Sequence, residues 1–335
     1  MSKAALVVGI DFYKGGNNLK GCVNDANSIT KLLSYHENGE QNFEVRELCA
    51  PSQEKEITSK QLLLEIKELF SNQHNNTVVF YFSGHGGMTS ENTGFIVASD
   101  TTSLETSILM TDLIEIVNNS PVKNKIIIMD TCHSGAMGTH PDFIKQGSCI
   151  GEGVTILTAS SKEQVSIECG DDILSRHGVF TRLLIDALEG GASSILGHIT
   201  PGSIYAHIDK ALGNFGQRPI FKTNTNRFIE IRKVKASVDI IELREINSIF
   251  KDSIQELKLD QTYEQDKDIP DTYKDKKRCI PEHYRIFRIL QNLNRINLVV
   301  PIEEKDMYYA AMNEKACKLT PLGQFYWNLV SEGKI

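Results

Sequence analysis

Four short runs of almost unbroken apolar, largely β-branched residues constrain this chain more than any other feature: Ala4–Ile10, Val78–Phe82, Lys125–Met129 and Val154–Thr158. Strands buried on both faces of a parallel sheet have this character. Amphipathic stretches separate them. Asp25–Leu33 carries Ala26, Ile29, Leu32 and Leu33 at helical spacing, and Ser59–Phe70 opens with Ser59 as the expected N-cap. Val179–Leu188 repeats the pattern and stops at Gly190–Gly191. Strands alternating with helices predict an α/β domain with a largely parallel sheet and helices on both faces.

The pattern changes near residue 236. Ile240–Leu259 is expected to be helical, Asp260–Lys277 a polar linker, and residues 283–297 a helix. A hairpin through Asn297–Cys317 and a last helix capped by Thr320, with Pro321 at its first position, complete a winged-helix-like outline. Two domains are therefore expected, 1–235 and a small, mostly helical 236–335. In 236–335, 15 basic residues face 17 acidic ones, so DNA binding has no support.

The whole chain of 335 residues carries a formal net charge of −7, which argues against nucleic acid or an anionic membrane as its main partner. No run approaches the roughly 20 apolar residues that span a bilayer, and no export signal opens the chain, so a cytoplasmic protein is expected. Its 7 cysteines form no CxxC pair, so neither a disulfide framework nor a zinc site is expected.

Two segments place reactive side chains just beyond buried strands. In VVFYFSGHGG, His85 stands between glycines, and in KIIIMDTCHSG, Cys132 follows its strand by three residues. Carboxyl ends of parallel strands are where α/β proteins do chemistry, and a thiol with an imidazole can form a nucleophile and acid–base pair. A tyrosine-phosphatase loop would need Arg six positions after Cys132, where Gly138 stands, and no Walker or GxGxxG motif occurs.

The segments ALVVGIDFY, LKGCVNDA, VVFYFSGHGG, IIIMDTCHSG, VTILTASS, HGVFTRLLIDALEG and GQRPIF resemble the caspase-like peptidases of the C14 class, in the family's order along residues 4–221. The resemblance implies the caspase-hemoglobinase fold, with a sheet of about six strands. It makes Cys132 the nucleophile, His85 the general acid–base, and the backbone N–H groups of Cys132 and Gly86 the oxyanion donors; His133 has no catalytic part. Metacaspases and their bacterial relatives bind Arg or Lys at P1, the residue before the cut, in an acidic pocket. Asp25 and Asp130 match its carboxylates, and Cys22 and Ser83 its smaller lining residues. A cationic side chain leaving water needs opposite charge and fixed acceptors.

The same resemblance implies protein substrates and a regulated role in bacterial stress, cell death or anti-phage defence. The C-terminal domain would then dock a sensor or adaptor protein. Calcium sites of metacaspases need a cluster of oxygen ligands, about six to eight. Here Asp100 and Asp112 stand alone, with Thr139 where another acid is expected, so no cofactor or metal is expected. Loops 139–153 and 161–177 hold Lys145, Lys162 and Arg176 as candidate self-cleavage sites. The alternatives are an inactive scaffold of the same fold or a protease with another P1 preference.

Overall fold

Six strands form the central sheet: β1 (Lys3–Ile10), β2 (Glu44–Ala50), β3 (Thr77–Ser83), β4 (Asn124–Asp130), β5 (Val154–Thr158) and β6 (Ile220–Asn224), in the order β6-β5-β4-β3-β1-β2. Neighbours from β2 to β5 run parallel, and β6 closes one edge antiparallel to β5. The computed structural model describes residues 2–131, 150–159, 177–214, 218–265 and 277–335, with 168–169 as backbone. The chain divides into two units, residues 1–235 and 236–335.

The apolar strand runs are continuous because helices cover both faces. Leu6, Val8, Phe80, Phe82, Ile127 and Met129 pack toward α2 (Ser59–Ser71) and α3 (Met110–Asn118), through Leu62, Ile66, Leu113 and Val117. Their neighbours Ala5, Val7, Val79, Tyr81, Ile126 and Ile128 pack on the other face. There they meet α1 (Cys22–Ser34), α4 (Val179–Asp186) and α5 (Pro201–Leu212), through Ala26, Ile29, Leu184 and Ile204. Burying one such side chain contributes about 1.5–3 kcal/mol, so the two layers dominate the stability of this unit. Gly9 allows the close approach of α1, since a Cβ there would lie 2.3 Å from the Cys22 carbonyl oxygen.

Several local expectations need correction. The N-cap of α2 is Thr58, whose hydroxyl accepts from Gln61 N at 3.2 Å; Ser59 is the first helical residue, its own hydroxyl drawn to Asp100. Strands β2 and β6 carry no continuous apolar run, because an edge strand meets solvent along one side. Ile240–Leu259 is not one helix. It forms α6 (Ile240–Arg244) and α7 (Ile246–Ile249), and then turns extended at Phe250 to reach the strand Glu256–Lys258. The break follows from pairing: Leu257 aligns antiparallel with Cys317, and that ladder outweighs helical periodicity. The start of the expected linker, Gln261–Tyr263, is a buried helical turn, and 266–276 lie outside the described residues.

The second unit continues with α8 (Pro281–Arg295), α9 (Met307–Met312) and α10 (Pro321–Ser331). A three-stranded antiparallel sheet accompanies them, with Ala316–Leu319 between Glu256–Lys258 and Val299–Ile302. Thr320 caps α10, accepting from Gly323 N at 3.0 Å, with Pro321 at the first helical position.

Candidate active site

The pleat of the sheet decides which side chains meet above β3 and β4. Ser83 pairs in register with Asp130, and each continues the face that holds Tyr81 and Ile128. That face carries α1 and α4, so both strand-end residues are delivered to Asp25 in the first turn of α1 and to the start of α4. Asp25 is only 2% exposed. Its Oδ2 accepts from Ser83 Oγ at 2.8 Å, and its Oδ1 is 2.8 Å from His177 Nδ1. Asp130 Oδ2 accepts from Thr181 Oγ1 at 2.7 Å and from Thr181 N at 3.3 Å, and Tyr81 Oη lies 2.6 Å from the same Thr181 hydroxyl. A Cβ on Gly178 would stand 2.6 Å from Asp130 Oδ2, so only glycine lets the chain pass this close.

Withdrawal from water disfavours charge, and this site holds two carboxylates. Burial pushes the Asp130 carboxyl up to about 7, and the charge of Asp25 adds to the effect. Burial also raises Asp25, while hydrogen bonds from His177 and Ser83 hold it back. Cys22 beside them has its thiol pushed well above the ordinary range by burial, so it is a neutral lining group. Among the described residues this network is thus rich in acceptors and short of cations. Four expected pocket residues, Cys22, Asp25, Ser83 and Asp130, lie in this one network.

His85 is positioned by the loop after β1. Its Nε2 lies 2.6 Å from the carbonyl oxygen of Asn17, and its backbone N–H donates to Tyr13 Oη at 2.7 Å. The Tyr13 and His85 rings are 4.6 Å apart, tilted by 52°. A carbonyl oxygen only accepts, so Nε2 carries a hydrogen, and in the neutral imidazole that leaves the lone pair on Nδ1. Asn17 has φ of 61°, a left-handed conformation that asparagine tolerates better than most residues. Gly86 begins a short strand, Gly86–Met88, paired with Gly94–Ile96. Gly84 N donates to the Asp130 carbonyl at 3.3 Å, tying the glycine loop to the end of β4.

Cys132 and His133 lie outside the described residues, as do Lys145, Lys162 and Arg176. Asp100 Oδ1 accepts from Ser59 N at 2.7 Å and from Ser59 Oγ at 2.9 Å, so it braces the start of α2. No group of three or more His, Cys, Asp or Glu residues suited to a metal occurs among the described residues. Sequence reading did not find Tyr13, Asn17, His177 or Thr181. The HGVFT segment held two of them, but nothing in its spacing pointed to Asp25 or Asp130.

An oriented imidazole and a buried pair of carboxylates stand by the carboxyl ends of parallel strands in an α/β protein. The caspase domain family model matches residues 2–229, and the chain belongs to that family, a class of cysteine-type peptidases. Metacaspase-1 of Schizosaccharomyces pombe is 33% identical over 91 residues, 27% of this chain and 21% of that protein. Metacaspase-1 of Debaryomyces hansenii is 30% identical over 94 residues, 28% of this chain and 21% of that protein. Metacaspase-7 of Arabidopsis thaliana is 27% identical over 263 residues, 75% of this chain and 60% of that protein. The chain therefore spans about a fifth of the length of the first curated relatives it matches. A solved structure described as pro-sf-caspase-1 is 11% identical, with a TM-score of 0.45, covering 70% of this chain and 94% of that one. Among the described residues, no helix is long and apolar enough to cross a membrane.

Proposed function

We propose that the chain is a cysteine endopeptidase that cuts protein substrates after Arg or Lys, with Cys132 as nucleophile and His85 as acid–base. The observation that carries this reading is the register of β3 against β4. Ser83 and Asp130 are partners, His85 follows the one by two residues, and Cys132 follows the other by two. With Nε2–H given to Asn17, His85 Nδ1 is the nitrogen available to take the thiol proton. The thiolate attacks the scissile carbonyl, and backbone N–H groups of Cys132 and Gly86 receive the developing oxyanion. One such donor is typically worth about 3 kcal/mol. The imidazolium then protonates the leaving amine, and water releases the acyl group by the same exchange in reverse.

The basic P1 preference draws on Asp25 and Asp130. Burial raises the Asp130 pKa to about 7 and the charge of Asp25 adds to the effect, so the two carboxylates stand to gain from a cation beside them. Fluorogenic peptides differing only at P1 test the assignment. Arg and Lys substrates are expected to be cleaved and the Cys132→Ala variant to be inert; faster cleavage after Asp sinks the pocket assignment.

Asp100 is committed to α2, which favours activity without calcium; titration with a chelator checks it. The 236–335 unit is read as a docking module for a sensor or adaptor protein, supported by Leu322 and Phe325, exposed on α10. Regulated proteolysis in stress, cell death or defence is the biological role that the family likeness suggests.

A further inference from the structure

We propose that His177 is a specificity-determining residue of the basic P1 pocket, biasing it toward Lys relative to Arg by holding Asp25 Oδ1. The inference rests on the reading of Asp25 and Asp130 as that pocket.

The four carboxylate oxygens are unequally occupied. Asp25 Oδ2 is taken by Ser83 and Asp25 Oδ1 by His177, both at 2.8 Å. Asp130 Oδ2 is taken twice by Thr181. Of these four oxygens, Asp130 Oδ1 alone accepts no hydrogen bond from the described residues. An ammonium is a compact point charge that one open oxygen and nearby hydroxyls can satisfy. A guanidinium is a planar fork that gains most from two acceptors at once. To span both carboxylates it must share or displace the imidazole on Asp25, and so loses part of the bidentate gain.

His177 is well placed to resist displacement. Its backbone pairs with Cys169, and Gly178 is wedged against Asp130 at the start of α4. The side chain is largely buried, 19% exposed. Around the pair stand Asp25 and Cys22 from α1, Ser83 and Tyr81 from β3, Asp130 from β4 and Thr181 from α4. None of these is a cation, so among the described residues His177 is the basic side chain of the network.

The test measures kcat and KM for matched P1-Arg and P1-Lys peptides with wild type, His177→Ala and His177→Asn. Loss of the imidazole is expected to raise the Arg-to-Lys ratio of kcat/KM about tenfold, through KM, since charged hydrogen bonds contribute on this scale. Asn places Nδ2 where imidazole Nδ1 was, and is expected to hold the ratio within about twofold of wild type. Equal effects on both peptides, an effect confined to kcat, or an unchanged ratio in His177→Ala overturns the proposal. Should His177→Ala fail to fold, His177→Val suits a strand position, offers no donor and carries the same expectation. A wild type that cleaves after neither Arg nor Lys instead refutes the pocket reading itself, which keeps the two failures apart.

Discussion

Replacing Asp130 by Asn tests the electrostatic account of the carboxylate pair, because the substitution keeps the shape and removes the charge. In the folded chain the Asp130 carboxyl is raised from an ordinary 3.8 to about 7. An acid raised by folding binds extra protons in the native state, so the native state is favoured at low pH and loses that advantage as pH rises from about 4 to 7. About three pK units at about 1.4 kcal/mol each set a ceiling near 4 kcal/mol. Asp25 relieves part of this, since protonation of either acid removes their repulsion, and we expect about 2 kcal/mol at pH 8. For a domain of this size that corresponds to roughly 4–8 °C in Tm. Thermal melts of wild type and Asp130→Asn from pH 4 to 8 are the assay. The curves should coincide near pH 4, and the variant should melt higher at pH 8. Parallel curves across the range, or a variant less stable than wild type at pH 8, would refute the reasoning.

Three further outcomes follow from the same geometry. Tyr13→Phe strips the acceptor from the His85 N–H and should lower stability by about 1–3 kcal/mol, with a fall in kcat; denaturant melts and steady-state kinetics measure both. Thr181→Val removes a hydrogen bond that holds the Asp130 pKa down, so the loss of stability with rising pH should begin where it does in wild type but continue to higher pH; the melts read it directly. Gly9→Ala drives a Cβ to 2.3 Å from the Cys22 carbonyl and should destabilise by about 1–3 kcal/mol, with a raised KM for basic peptides because α1 carries Asp25; an unshifted melt would contradict that packing.

Much of the frame was legible in the order of residues. Four strands buried on both faces announce themselves as apolar runs, since every position of a doubly covered strand leaves water. The ends of two of them carry SGHGG and DTCHSG, which is why His85 and Cys132 could be singled out. The sequence also named Asp25, Ser83 and Asp130, through likeness to a family. Edge strands β2 and β6 were invisible because half their surroundings are solvent, and Ile240–Leu259 misled because local periodicity ignores a distant pairing partner.

Contact itself belonged to the tertiary structure. Asn17 offers His85 a carbonyl, a group that every residue possesses, so no residue type could advertise it. His177 meets Asp25 across 152 positions, and Thr181 meets Asp130 across 51. Hydrogen bonds between such distant partners leave no period in the chain. They exist because pleat and register turn Ser83 and Asp130 to the face that α1 and α4 cover, and that choice is made only when the sheet assembles.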